Sequence, residues 1–445
     1  MAEEQLKLAV PIVVGTRPEA IKLVPIILAL HDDDTYQPIV VSTGQHHWMV
    51  QEIFELAGIT TDVDLWVGAG RAGLNERVSS VMRRFEDFCR EWFGAEGKAA
   101  TVDQIRSGHF PAAVIVHGDT SSAFASALAA FHLRIPVVHV EAGLRTASNL
   151  TPFPEELNRE LITCIACFHC APTPTNQQNL VREQIPVDQV FVTGNTGIDA
   201  LHWAAGLEVP FKDPAVQAVY EGNERVVVIT AHRRENWETG LTGIAEGIAR
   251  LAKSHAEVRF VLPMHPNPTV REKLKPVLEG AENVVLTEPM GYPNFARLLR
   301  RSHMVITDSG GIQEEAPSLD KPVLVAREST ERQEGVAAGT LLLVGTDPER
   351  IAAEGERLLT DDAAYERVAK APNPYGDGHT AERIVAALDN LRVRGGPPPH
   401  PFGPGYSRRA VLTAAGYEAA LDPREVPPDE RGEAEEPEPG MRWST

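Results

Sequence analysis

No stretch of this 445-residue chain reaches the roughly twenty consecutive apolar residues that a membrane-spanning helix needs, so no membrane partner is expected. The start, Met-Ala-Glu-Glu-Gln, is acidic and lacks the basic n-region of a secretory signal, which points to a cytoplasmic protein. Cysteine is scarce: four in a chain this long make no disulfide framework. Positive charge is short as well. With 42 Lys and Arg against 62 Asp and Glu the net charge is -20, which argues against nucleic acid, whose phosphates need a basic surface. Any nucleotide must therefore bind in a locally basic pocket. Part of the acidity lies in a run of carboxylates among prolines from Asp429 to Glu438.

What is present is an alternation of apolar runs with helical patterns. Leu8 to Val14, Ile39 to Ser42, Ala113 to Val116, Val137 to Val140 and Val190 to Thr193 read as strands in the first part of the chain. Val226 to Thr230, Phe260 to Pro263, Val284 to Thr287, Met304 to Thr307 and Val323 to Ala326 do so in the second. This predicts an α/β protein with parallel sheets covered by helices on both faces, and catalytic loops at the carboxyl ends of the strands. Length suggests two domains plus a tail, with Gly194-Asn-Thr-Gly197 and the segment to Asn223 as the junction. From Gly395 onward proline, glycine and charge predict disorder, apart from a short helix near Ala410 to Ala420.

Four motifs put reactive or anion-binding residues at the ends of apolar runs. In Gly15-Thr-Arg-Pro-Glu-Ala-Ile-Lys22, Gly15 permits a tight turn, Thr16 and Glu19 have capping-box spacing and Pro18 fits a first helical turn. The free N–H groups of that helix, with Arg17 and Lys22 beside them, form an anion site. Pro25 should kink or shorten the helix, which is expected to run from Glu19 to Leu30. Asp308-Ser-Gly-Gly-Ile-Gln-Glu-Glu315 repeats the scheme. Ser309, Gly310 and Gly311 make a turn open to phosphate, a helix opens at Ile312, and Glu315 stands one turn in, placed to accept from two ribose hydroxyls.

In His117-Gly-Asp-Thr120 Asp119 follows one strand, in His139-Val-Glu-Ala-Gly143 Glu141 follows another, and Glu155 lies in a loop just before a helix. Three carboxylates converging on one cleft suit acid/base work, taking a proton from one face of a sugar and returning it to the other. His232, with Arg233 and Arg234 beside it, comes off the first strand of the second domain and is placed to touch a phosphate or assist a leaving group. His265 reads as a loop-shaping residue or a second cleft residue.

Two patterns are set aside. Gly68-Ala-Gly-Arg-Ala-Gly73 matches the dinucleotide fingerprint, but no βαβ unit follows it, so it reads as a loop. Cys164-Ile-Ala-Cys167-Phe-His-Cys170 has metal-like spacing, yet its apolar neighbours Leu157, Leu161, Ile162, Ile165 and Phe168 read as a buried helix running into a strand.

The four motifs, with Gly194-Asn-Thr196, His232-Arg-Arg-Glu235 and Asn373-Pro-Tyr-Gly-Asp-Gly378, make the chain resemble the non-hydrolysing UDP-N-acetylglucosamine 2-epimerases from about Pro11 to Leu391. The resemblance implies the GT-B fold, two Rossmann-like domains facing across a central cleft. Residues 1–194, completed by a helix at about 380–394, would form the first domain, and 195–379 the UDP-binding second; 395–445 is a tail without counterpart. It implies conversion of UDP-GlcNAc to UDP-ManNAc through elimination of UDP to 2-acetamidoglucal and re-addition, supplying activated ManNAc for cell-surface polysaccharide. By the same resemblance Asp119, Glu141, Glu155 and His232 are catalytic. Arg17, Lys22, Met290, Phe295, Ser309, Gly310, Gly311, Glu315 and Arg332 hold the nucleotide, no metal or redox cofactor is needed, and the enzyme is a homodimer.

The chain departs from the family at two places. Some bacterial members bind a second UDP-GlcNAc through a segment like Thr43-Gly-Gln-His46; Gln45 and His46 match, but His47 and Trp48 replace an Arg-Gln pair, which argues against substrate activation. The region from Arg71 to Gly108 is also longer than the family pattern. A GT-B glycosyltransferase and an epimerase of a modified UDP-GlcNAc derivative remain the alternatives.

Overall fold

Apolar runs too short to cross a membrane but long enough for buried strands assemble into two parallel sheets. The computed structural model describes residues 7–67, 73–98, 100–146 and 148–389. Among these, the first sheet holds β1 (Leu8–Val14), β2 (Tyr36–Ser42), β3 (Val63–Asp64), β4 (Val114–His117), β5 (Val137–Val140), β6 (Phe168–Ala171) and β7 (Val190–Val192). Their order is β3-β2-β1-β4-β5-β6-β7. The second sheet holds β8 (Val226–Thr230), β9 (Arg259–Pro263), β10 (Val284–Thr287), β11 (Met304–Thr307), β12 (Val323–Val325) and β13 (Leu341–Leu343), ordered β10-β9-β8-β11-β12-β13. Every strand pairing in both is parallel.

Burial on both faces explains the strands' unbroken apolar character. On β8, Val227 and Ile229 enter one core with Leu241, Ile244 and Ile248, while Val226 and Val228 enter the opposite core with Leu201, Leu298 and Leu299. In each sheet the strand order reverses beside the first strand, between β1 and β4 and between β8 and β11. Connections on the two sides of such a switch point diverge and leave a crevice at the strands' carboxyl ends. The four motifs all fall there.

The first helix, Arg17–Asp32, starts as its turn chemistry predicts: Thr16 caps it, and Thr16 and Glu19 form the reciprocal capping box. Pro25 does not shorten it. The helix runs through that residue to Asp32, because Leu23, Val24, Ile26, Ile27 and Leu30 are buried and outweigh one missing backbone donor. The last described helix, Thr380–Asp389, follows the second sheet in sequence but places Ala381, Ile384 and Leu388 in the core of the first. Its entry is fixed by the buried Asp199, whose Oδ1 accepts from the Ala381 N–H at 2.8 Å, and its end by Tyr36, whose hydroxyl donates to Asp389 at 2.8 Å. The junction after Gly194 is itself helical: Thr196–Ala205 packs against both Arg17–Asp32 and the helix Tyr292–Arg301.

The cysteine segment corrects an expectation. The helix Glu155–Ile165 is not a buried one: Leu157 and Leu161 are 40% and 37% exposed and Cys164 is exposed, while Cys170 on β6 is in the core. Among the described residues no His, Cys, Asp and Glu cluster could hold a metal ion. Of the Gly68 to Gly73 motif, only Gly73 is described, as the residue preceding the helix Leu74–Phe93. The tail from Gly395 lies outside the described residues.

Candidate active site

At the first switch point β1 is followed by Gly15, where a Cβ would stand 2.6 Å from Ser122 Oγ. Glycine is needed there because the turn presses on the N-terminus of the helix Ser121–His132. Glu19 ties the turns together. Its Oε2 accepts from the backbone N–H groups of Gly15 (3.1 Å) and Thr16 (2.7 Å), and its Oε1 accepts from Thr120 Oγ1 (2.7 Å). Burial raises the pKa of this carboxyl, against the hydrogen bonds from Thr120 and Thr16 that oppose the rise. Arg17 opens the helix, and its Nε is buried with no hydrogen-bond partner among the described residues.

Asp119 and Glu141 leave the ends of adjacent strands, since β4 and β5 pair from Val114↔Val137 to His117↔Val140. Glu141 has a φ of 63°, a left-handed conformation that costs a non-glycine residue about 1 kcal/mol or more and concentrates at functional sites. Its carboxylate is ion-paired with Lys22 Nζ and lies 3.3 Å from His117 Nε2. Burial pushes the Glu141 pKa up, but Lys22 and His117 outweigh it and hold the carboxyl well below the usual range. For Lys22, burial works against the cation, and Glu141, then Glu314 and Glu315 across the cleft, prevail and raise its pKa. Lys22, expected at the phosphates, is thus engaged by a carboxylate.

Asp119 is held from the helix Glu155–Ile165. Arg159 directs Nε (2.9 Å) and Nη2 (2.5 Å) at one oxygen, Oδ2, and Asn158 donates to the Asp119 carbonyl at 2.8 Å. Glu155 starts that helix, and its carboxylate makes no hydrogen bond among the described residues.

At the second switch point Asp308 is the organiser. Fully buried, it accepts at Oδ2 from the backbone N–H groups of His232 and Arg233, both at 2.8 Å, and from Asn236 Nδ2 at 3.1 Å. Its Oδ1 lies 3.4 Å from His232 Nδ1. Burial lowers the pKa of His232 despite Asp308, and the imidazole stacks on His265 with centroids 5.5 Å apart, so His265 also belongs to this side of the cleft.

The turn after β11 corrects a boundary. The helix begins at Gly310, not Ile312, so Gly310 and Gly311 are its first residues. Ser309 donates its N–H to Thr307 Oγ1 at 2.9 Å. A Cβ on Gly310 would stand 3.0 Å from the Arg332 guanidinium carbon, and Arg332 Nε donates to Glu314 at 2.8 Å. Glu314 also accepts from Asn195 Nδ2 of the junction at 2.7 Å, and Thr173 Oγ1 of the first domain donates to Glu334 of the second at 2.9 Å.

Glu315 is half-buried, and its carboxylate makes no hydrogen bond among the described residues; burial, then the neighbouring Glu314, push its pKa up to about 8. The Tyr292 hydroxyl is buried and likewise unpaired among the described residues, its pKa raised by burial and then by Glu315. Met290 and Phe295 are half-buried against the core that holds Ile312. Gln45 accepts from Ser122 Oγ at 2.9 Å, and His46 donates its N–H to the Gly15 carbonyl at 2.9 Å. The substituted His47 pairs with Asp64 at 2.8 Å and packs on Trp66 with the rings tilted by 30°.

Sequence reading missed Arg159, Glu156, His117, Glu314, Asp308 and Tyr292 as members of this cleft. His117 and Asp308 were in quoted motifs, and Arg159 stands four residues after Glu155, one turn along the same helix.

Two doubly wound domains, with carboxylates at the switch point of one and a glycine turn backed by arginine at that of the other, define an enzyme of the GT-B fold. A glycosyltransferase from Streptomyces nogalater shares that fold at 16% identity, with a TM-score of 0.53 over 86% of this chain and 100% of its own. The chain belongs to the UDP-N-acetylglucosamine 2-epimerase family, whose model matches residues 99–389. It is 43% identical over 390 residues to the UDP-N-acetylglucosamine 2-epimerase of Salmonella typhimurium, covering 86% of this chain and 98% of that one. The UDP-GlcNAc 2-epimerase of Neisseria meningitidis, solved with UDP-GlcNAc bound, superposes with a TM-score of 0.76 at 39% identity, covering 86% of this chain and 99% of that one.

Proposed function

We propose that this chain interconverts UDP-GlcNAc and UDP-ManNAc by eliminating UDP and adding it back after the configuration at C2 has changed. The observation that carries this reading is the charged cleft floor: Glu141, ionised by Lys22 and His117, beside Asp119 and opposite Arg332 and the Gly310 turn. The C2 hydrogen is not next to a carbonyl and is barely acidic, so the anomeric C–O bond must break first. Its electron pair leaves with the UDP oxygen, and the oxocarbenium character at C1 makes the C2 proton removable. A carboxylate takes that proton, C1=C2 forms, and the reverse steps return a proton to the other face of C2 and the UDP oxygen to C1.

In this proposal Asp119, Glu141 and Glu155 share the proton transfers. Arg17, His232, Ser309, Gly310 and Gly311 stabilise the departing diphosphate. Glu315 receives the ribose hydroxyls, and Met290, Phe295 and Arg332 hold the rest of the nucleotide. Domain limits of 1–194 plus the returning helix, and 195–379, fit the two sheets and the helices that cover them. A cytoplasmic homodimer belongs to the same reading; it is supported by Leu157 and Leu161, four apart on an exposed helix face, and sedimentation of the full chain tests it.

The direct test is incubation with UDP-GlcNAc in deuterated water, followed by proton NMR. UDP-ManNAc carrying deuterium at C2 is the expected product. Free ManNAc plus UDP would mean hydrolysis instead. Neither product nor exchange would move the reading to a glycosyltransferase or to a modified UDP-GlcNAc derivative.

A further inference from the structure

Asp119 does not stand alone at the end of β4. The guanidinium of Arg159 uses one edge on it, with Nε and Nη2 both directed at Oδ2 (2.9 and 2.5 Å), and its remaining Nη1 on Glu156 Oε2 at 2.6 Å. Glu156 is fully buried, and its other oxygen accepts from the Thr146 N–H at 2.9 Å. Asn158 secures the Asp119 carbonyl. Burial disfavours the Arg159 cation, and Asp119 and Glu156 overcome that and raise its pKa, so the cation is held between two carboxylates.

We propose that Arg159 is a positioning residue for Asp119, anchored by Glu156, and that it fixes which carboxylate oxygen faces the sugar. With Oδ2 taken by two N–H groups, Oδ1, which makes no hydrogen bond among the described residues, is the oxygen left to exchange a proton. Rotation of the carboxyl would break two charge-assisted bonds at once, so the reactive oxygen is pre-oriented before substrate arrives. The same helix that begins with Glu155 thereby sets two of the three acid/base groups: Glu155 by its own position, Asp119 through Arg159 one turn later. A lysine cannot replace this fork, because an ammonium is a point charge without two parallel N–H bonds in a plane.

This inference rests on Asp119 taking part in the proposed reaction, and the test separates the two. Asp119→Asn, Arg159→Gln, Arg159→Lys, Arg159→Ala and the Asp119→Asn/Arg159→Gln double variant are assayed for kcat and KM with UDP-GlcNAc, and for UDP affinity by calorimetry as a check on folding. Arg159→Gln is expected to lose about 100-fold in kcat while KM and UDP affinity stay within about twofold. Arg159→Lys should recover only part of that loss, added guanidinium should restore rate to Arg159→Ala, and the double variant should be no slower than Asp119→Asn alone. An unchanged kcat in Arg159→Gln overturns the inference. So does a loss that guanidinium does not relieve and that adds to the loss from Asp119→Asn. Full activity in Asp119→Asn would instead remove the acid/base role of Asp119 itself.

Discussion

Lys22 and Glu141, 119 residues apart in sequence, form an ion pair that links the first helix to the turn after β5. A cation placed there keeps a buried carboxylate charged, ready to receive a proton rather than to give one. Removing the cation as Lys22→Met leaves burial opposed by His117 alone, so the Glu141 pKa must rise. The acidic limb of the kcat–pH profile should then move to higher pH, with a fall in kcat of about 100-fold near neutrality. An unmoved limb would separate Glu141 from proton removal.

Asp308 carries the His232 loop on a single carboxylate oxygen. Asp308→Ala leaves two backbone N–H groups and the Asn236 amide facing an apolar void, at a cost on the order of 2–5 kcal/mol. Chemical denaturation should show that loss, and UDP affinity should fall with it because the loop is no longer held. Unchanged denaturation would mean that other contacts hold the loop.

Glu315 makes the ligand-free protein sensitive to alkali. Its folded pKa of about 8 lies above the unfolded value of about 4.3, so the folded state keeps a proton that the unfolded chain has lost. The contribution to stability is therefore whole below about pH 4, declines as pH rises through the interval, and is gone above about pH 8. Glu315→Gln stays neutral in both states. Its Tm should exceed that of the parent by a margin that widens from about pH 5 to about pH 8, and a constant margin would count against a protonated Glu315.

Gly15→Ala should destabilise the first switch point by about 1–3 kcal/mol, because the new methyl would stand 2.6 Å from Ser122 Oγ and 3.0 Å from Thr43 Oγ1. Thermal melting reads the loss, and Ser122→Gly in the same chain should return part of it.

Much of this was legible because the signals are local. The cap of Thr16 and Glu19 lies within four residues, and β1, β8 and β11 are apolar runs bounded by turn residues. Two short strands were missed: β3, whose two residues carry no period of their own and which is a strand only by pairing with β2, and the edge strand β13, although its apolar run is as long as those of β7 and β12. Arg159 was missed for a different reason. Its partner Asp119 is 40 residues away, and nothing near either residue announces the pair until the helix Glu155–Ile165 lies over the end of β4. The helix boundary at Ile312 failed because two glycines argue locally for a turn, whereas the buried Gly310 is packed beneath Arg332, leaving no room for a side chain.

The helix Thr380–Asp389 has a consequence for how the protein can be divided. Because Ile384 and Leu388 complete a core that begins at Leu8, the first half of this enzyme is not a continuous piece of chain, and the second lies between its two parts. A fragment ending near Gly194 would expose the seat of that helix, and a chimera with a relative must exchange two segments together. The chain also crosses between the halves twice, so a single proteolytic nick in the junction would leave them tethered by the second crossing.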